Sequence, residues 1–201
     1  TDSIIPNLTS VMQIVLATSN SNKVKEIVSL LPENLQVLSL KNIGHETEIP
    51  EDHDNLEDNS LQKAMTIWLE YKINSMAEDS GLFIEALNGE PGVFSARYAG
   101  SQKIDTDNIQ KVLKNLENQT NRKAYFKTVF TLIIDGVAHQ FTGIFNGQIT
   151  KEPKGEGGFG YDPIFEFRPN TTLAQISLEE KKKISHRSIA LKQLIEFVHQ
   201  L

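Results

Sequence analysis

Ala124 to Ile134 and Val137 to Ile144 are two runs rich in β-branched and aromatic residues, joined by Asp135-Gly136 alone. No other stretch of the chain restricts its possible folds so strongly. Asp-Gly suits a two-residue turn with positive φ at both positions, whose twist matches that of the flanking strands. The pattern predicts a long antiparallel hairpin. Asn146-Gly147 predicts a further turn, leading into Gln148-Ile149-Thr150.

Ahead of the hairpin the chain alternates between strand and helix patterns. Gln13 to Ala17 is a short apolar run of the buried-strand kind, and Thr18 to Lys23 supplies turn formers and N-cap candidates. Val24, Ile27, Val28 and Leu31 then recur at i, i+3, i+4, i+7, one face of a helix that Pro32 ends. Leu35 to Leu40 reads as a second strand. Leu61, Ala64, Met65, Trp68 and Lys72 mark a second helix, and Ser75 to Leu87 has strand character. Asp105 or Thr106 caps a third helix with Ile109, Val112, Leu113 and Leu116 on its face. Beyond the hairpin, Pro163 to Phe167 reads as a strand, Ser177 with Glu180 as a capping box, and Ser185 as the cap of the last helix. Alternating strands and helices plus a long hairpin predict an α/β fold with a mixed sheet. Residues 1–12 carry no period and read as an N-terminal extension, with Met12 a candidate native start. Residues 13–201 read as one domain.

A chain of 201 residues buries roughly 70% of its unfolded surface, enough for a full core without staples. It has no cysteine, which removes disulfides and thiolate zinc sites and fits a reducing compartment; the expected location is cytoplasmic. No apolar run reaches bilayer length, so no membrane partner is expected. A net charge of −6 disfavours a nucleic-acid-binding surface.

The polar candidates fall into few places. The turn Thr18-Ser19-Asn20-Ser21-Asn22-Lys23 opens a helix, where free N–H groups favour an anion, although Asn20 or Ser21 as a plain cap serves equally. Lys23 at a helix start opposes the dipole unless it serves a bound anion. Glu78 and Asp79 are adjacent acids in an apolar segment, costly if buried unpaired, and on a strand they face opposite ways. Lys63 lies off its helix stripe, facing either solvent or the acidic loop that contains Glu51. Lys181 to Arg187 is the one concentrated basic patch. Gly155-x-Gly157-x-x-Gly160 imitates a dinucleotide fingerprint but lacks the strand before it and the helix after it, so it reads as a ligand loop of another kind. P-loop, zinc-protease and nucleophile-elbow motifs are absent. Acids, lysines and an aromatic loop together fit a phosphorylated ligand with a flat base, with carboxylates holding Mg²⁺.

Thr18-x-Asn20-x-x-Lys23, Glu78-Asp79-Ser80-Gly81-Leu82, Pro91 to Tyr98, Gly157 to Pro163, and Lys181 with Ser185-His186-Arg187 together resemble the non-canonical purine NTP pyrophosphatases, the ITPase-like enzymes. The motifs run in family order over nearly the whole chain. The resemblance implies an elongated central mixed sheet with helices around it, two lobes flanking a nucleotide cleft, and a homodimer. It implies hydrolysis of ITP, dITP and XTP to the monophosphate and pyrophosphate with Mg²⁺. By the same resemblance Thr18, Ser19, Asn20, Ser21, Asn22, Lys23 and Lys63 bind the triphosphate, Glu51 and Asp79 hold the metal, and Asp79 takes the proton. Ser80 contacts substrate, and Phe159, Gly160, Tyr161, Asp162, Lys181, His186 and Arg187 bind the base. Glu78 stands where many relatives carry Asp, and Asp58-Asn59-Ser60 departs from the family's usual Asn-Ala. The alternatives are a pyrophosphatase for pyrimidine or modified nucleotides and a nucleotide sensor without turnover.

Overall fold

The structure, a computed structural model, describes residues 12–201. The expected extension therefore lies outside the described residues except for Met12, which begins the first strand. That strand, β1 (Met12–Leu16), is followed by α1 (Ser21–Val28), β2 (Leu35–Ser39), α2 (Leu56–Tyr71) and β3 (Ser75–Ile84). The short β4 (Pro91–Gly92) and α3 (Asp105–Asn115) precede the hairpin, β5 (Lys123–Ile134) and β6 (Val137–Ile149). The chain closes with β7 (Phe165–Arg168), β8 (Thr171–Thr172), α4 (Leu178–Ile184) and α5 (His186–Val198). The eight strands form one sheet in the order β2-β1-β3-β5-β6-β7-β8, with β4 on β3. β1 runs parallel to β2 and β3, and every other pairing is antiparallel. The mixed α/β sheet expected from the pattern is present.

Strand alternation decides which helices cover which face. Ile14, Leu16, Met76, Phe130 and Leu132 pack with Ile27 of α1 and Leu191 and Leu194 of α5. Their neighbours Val15, Ala17, Ala77 and Ile133 point the other way, onto Ala64 and Ile67 of α2. A third cluster, around Phe126, Phe165 and Val112, fills the far lobe beneath α3. Each large side chain buried in this way stabilises the fold by about 1.5–3 kcal/mol, so the faces are firmly specified.

The hairpin turns at Asp135 and Gly136, with φ of 49° and 83°, as a two-residue turn of that type requires. No turn follows at Asn146-Gly147. β6 runs straight through them, pairing Asn146 with Tyr125 and Gly147 with Ala124. The glycine answers a close approach instead: a Cβ there would lie 2.7 Å from the Phe165 ring and 2.6 Å from the Glu166 carbonyl oxygen. Neither Asp105 nor Thr106 caps α3, whose N-cap is Ile104. Ser177 accepts the N–H of Glu180, but Glu180 turns to Arg168 at 3.0 Å, and the reciprocal capping box sits at Thr172 and Gln175. The strand expected from Pro163 starts at Phe165, after a 3-10 turn over Asp162–Ile164.

One detail of the sheet positions the site. β5 pairs with one edge of β3 along its whole length. The opposite edge is shared, by β1 at Ser75 and Met76 and by β4 at Leu82 and Phe83. Between them, over Ala77 to Gly81, no strand pairs with that edge among the described residues. The sheet is split there, and the split is the floor of a cleft between the two lobes.

Candidate active site

The cleft encloses about 580 Å³ and is lined from both lobes. At its floor Glu78 and Asp79 follow the alternation of β3. Asp79 shares the face of Ala77, toward α2, and Glu78 shares that of Met76, toward α1 and α5.

On the α2 side, Lys63 is nearly buried and reaches the cleft floor. Its ammonium bonds Glu51 at 2.5 Å and the Glu78 carbonyl at 2.9 Å, and lies 3.6 Å from an Asp79 carboxylate oxygen. Of the two directions open to it from sequence, Lys63 takes the acidic one. Burial pulls its ammonium down, but Asp79 and Glu51 outweigh that and raise it. Burial pushes the Asp79 carboxyl up, and the nearby Lys63 and Lys23 do not bring it back. Glu51 is one-third exposed; burial pushes it up, but Lys63, Lys23 and Lys103 together hold it below the usual carboxylate range. One cation thus faces two carboxylates.

The α1 and α5 side is a closed ion network. Glu78, 1% exposed, accepts Arg187 Nε–H at 3.0 Å and the Thr128 hydroxyl at 2.8 Å on one oxygen, and pairs with Lys23 Nζ at 2.7 Å on the other. Burial alone would raise its carboxyl, yet Arg187 and Lys23 hold it well below the usual range. Arg187 also donates from Nη1 to Glu26 at 2.9 Å and from Nη2 to the Ser80 hydroxyl at 3.0 Å. Lys181 lies 2.7 Å from Asp162 and 3.5 Å from Glu26. Burial raises Asp162 despite Lys181 and the Phe159 N–H that it accepts. Of the three consecutive lysines, Lys181 is the buried one, while Lys182 pairs at the surface with Glu179. Over the Phe159 ring sit Lys181 Nζ at 4.8 Å and Arg187 Cζ at 5.3 Å.

His186 is buried against Phe126, rings parallel at 4.8 Å, and burial drives its imidazole well below the ordinary value, so it is neutral. Its Nδ1 has no hydrogen-bond partner. Gly143 on β6 lets α5 begin this close to the sheet, because a Cβ at 143 would overlap the His186 carbonyl oxygen.

The turn before α1 is capped from within. Asn20 accepts the N–H groups of Asn22 and Lys23, and Thr18 accepts that of Asn20. Those amides are taken, so the cationic reach of the turn is Lys23's side chain. Thr18, Ser19, Asn20 and Lys23 line the cleft, whereas Ser21 and Asn22 do not. Asn22 lines a smaller cavity of about 210 Å³ with Lys181, on which Phe159 also borders.

The glycine loop is folded on itself. Gly158, at φ 71°, is where a Cβ would overlap the Asp162 carboxylate, and Gly157 lies against the Ala174 carbonyl oxygen. These two glycines serve the loop's own packing rather than a close approach to a ligand; only Gly160, with open space around it, borders the cleft without such a neighbour. Its N–H donates to Asp105 at 2.7 Å, which explains what Asp105 does instead of capping α3. Tyr161 sends its hydroxyl to the Ser95 carbonyl at 2.7 Å and anchors the loop to the far lobe.

The structure brings Asp79, Glu51, Lys63, Lys23 and Ser80 to one cleft with Phe159 to Asp162, His186 and Arg187. Sequence reasoning missed Glu26, Arg97 and Lys103. Glu26 had a readable signal, since it lies three residues after Lys23 on the same helix side. Arg97, 3.8 Å from Glu51, and Lys103 come from irregular segments whose direction no periodicity gives.

Residues 14–197 match the model of the Ham1 family. The chain belongs to that family. It is 51% identical to a dITP/XTP pyrophosphatase of Flavobacterium psychrophilum over 187 residues, 92% of this chain and 98% of the relative. A dITP/XTP pyrophosphatase of Flavobacterium johnsoniae is 48% identical over 93% of this chain and 98% of its own. Among solved structures, a Ham1 protein from Coxiella burnetii superposes with a TM-score of 0.87 at 37% identity, over 94% of this chain and 100% of that one. The Ham1 protein of Staphylococcus aureus gives 0.86 at 37% identity, over 94% and 98%. The Ham1 fold and the split sheet account for each other: the family match runs through every element that lines the cleft.

Proposed function

We propose that this Ham1 family member hydrolyses ITP, dITP and XTP to the nucleoside monophosphate and pyrophosphate. The observation that carries the reading is one cleft with an acid–lysine floor at Asp79, Glu51 and Lys63 and an aromatic–cation wall at Phe159 and Arg187. The names of the relatives support it.

Glu51 and Asp79 carry one negative charge more than Lys63 balances, and both are hard oxygen donors. Among the described residues no three His, Cys, Asp or Glu side chains gather into a metal cage. That is the donor set Mg²⁺ takes, one or two carboxylates completed by substrate phosphates, and these two acids would hold it. When bound, the ion supplies charge neutralisation along the phosphates. Asp79, raised by burial, accepts the proton of the water that attacks the α-phosphorus. Lys63 and Lys23 offset charge on the departing pyrophosphate.

At the other end the base lies on Phe159. Hypoxanthine and xanthine present an oxygen at C6, and Arg187, Lys181 and the unpartnered His186 Nδ1 are the polar atoms within that wall. Adenine presents an amino donor there and meets donors. Sites that read a hydrogen-bonding group in this way discriminate by about 10⁴-fold or more. The chain is expected to act as a cytoplasmic homodimer, the assembly that the family resemblance implies; sedimentation of the purified protein measures it.

The test is a substrate panel with product identification. Pyrophosphate from ITP and XTP in the presence of Mg²⁺, with ATP nearly untouched, is the expected result. Equal rates on ATP would end the reading, and binding of ITP without any product would make the protein a sensor.

A further inference from the structure

The two halves of the cleft meet at a residue to which the resemblance assigns no role. Glu78 is 1% exposed, so it makes no contact with a ligand in the cleft. Yet it touches cations from three elements. Its carboxylate holds Lys23 of α1 at 2.7 Å and Arg187 of α5 at 3.0 Å, and its carbonyl accepts Lys63 of α2 at 2.9 Å. Thr128 of β5 fixes the oxygen that Arg187 uses, at 2.8 Å.

We propose that Glu78 is a positioning residue through which base identity sets the phosphate-end lysine, so that the wrong base is rejected in turnover and not only in binding. The inference rests on the pyrophosphatase reading above. Its physical basis is that a buried carboxylate needs a cation and has only two side chains that supply one. When a triphosphate draws Lys23 toward itself, Arg187 becomes the sole side-chain cation on Glu78. A base with an oxygen at C6 tolerates Arg187 in that place, because Nε stays on Glu78 while the guanidinium lies over Phe159. A base with an amino group at C6 repels the guanidinium and loosens it from Glu78. An uncompensated carboxylate in a site that excludes water is costly, so Lys23 returns to Glu78 and leaves the phosphates. Base and phosphate affinities are then linked through one shared partner, and such linkage is reciprocal.

The experiment compares kcat and KM for ITP and ATP in wild type, Glu78→Gln and Glu78→Asp, with Mg²⁺ titrated in each. Glutamine keeps the shape and an acceptor for Arg187 and Thr128 but no longer pulls Lys23 back. The expected result is an ITP-over-ATP ratio of kcat that falls about tenfold or more in Glu78→Gln, with the KM for ITP changed by less than about threefold. Glu78→Asp, which keeps the charge, recovers part of the ratio. Equal losses on both substrates would mark a merely structural residue and overturn the proposal. A shift in the Mg²⁺ needed for half-maximal rate, at constant ratio, would make Glu78 a metal ligand and overturn it too. If Glu78→Gln does not fold by thermal melt, the ratio in Glu78→Asp decides, and a wild-type value there counts against the proposal. Wild type that releases no pyrophosphate from ITP overturns the pyrophosphatase reading and this inference together. Wild type that does so beside variants with an unchanged ratio overturns only this one.

Discussion

At the α5 end of the cleft three cations, Lys23, Lys181 and Arg187, meet three buried carboxylates, Glu26, Glu78 and Asp162. At the α2 end Lys63 alone faces Glu51 and Asp79. The first set is complete without a ligand, and its geometry is fixed before substrate arrives. The second is one positive charge short and half open to solvent at Glu51. A preorganised end suits recognition, where a misplaced donor loses selectivity, and an electrostatically unfinished end suits a site that a cation and phosphates complete. The contrast teaches that burial alone does not mark the chemistry: the more deeply buried charges are the ones that read the base.

Mutations at the two ends should therefore fail differently. The largest effect is expected from Asp79→Asn, which should cut kcat by about 10³-fold or more while calorimetry still registers nucleotide binding; unaltered turnover would remove Asp79 as the proton acceptor. Arg187→Met should act first on the fold. It strands Glu26 and Glu78 without their guanidinium, and breaking a buried pair in this way costs about 3–5 kcal/mol, visible as a lower denaturant midpoint. A midpoint like that of wild type would mean that the α5 network is not the rigid end. Phe159→Ala should raise the KM for ITP about tenfold, the worth of a base–aromatic stack, with kcat changed less. A pure loss of kcat would move the loop to the phosphate end.

The smallest effect is a slope. His186 is held neutral in the folded protein by burial first and by Arg187 next, so its folded pKa lies below the unfolded value of about 6.5. Below that pH the unfolded chain takes up a proton that the folded one refuses, and stability falls as pH drops. The contribution is about 1.4 kcal/mol per pH unit at most. His186→Phe keeps the stack on Phe126 and should lose this part of the decline between pH 7 and 5.5. Identical pH dependence of urea midpoints in variant and wild type would contradict a neutral, buried imidazole.

What could be read from the sequence was what local rules govern. Asp135-Gly136 specified its turn, the alternation of β3 sent Glu78 and Asp79 to opposite faces, and Ser185 capped α5. What could not be read was set by partners distant along the chain. Glu26 meets Arg187 across 161 positions, and no period in α1 announces that its acid is buried. Asn146-Gly147 looks like a turn until Phe165 occupies the space beside it, and Asp105 looks like a cap until Gly160 offers it an N–H. The glycine loop was legible as a ligand loop, but most of its glycines answer Ala174 and Asp162 rather than a substrate.

The division of the cleft has one direct test. If Asp79 delivers water to the α-phosphorus, hydrolysis of ITP in ¹⁸O-labelled water must put the label in the monophosphate and none in the pyrophosphate. Label in pyrophosphate, or in orthophosphate as the first product, would contradict the account.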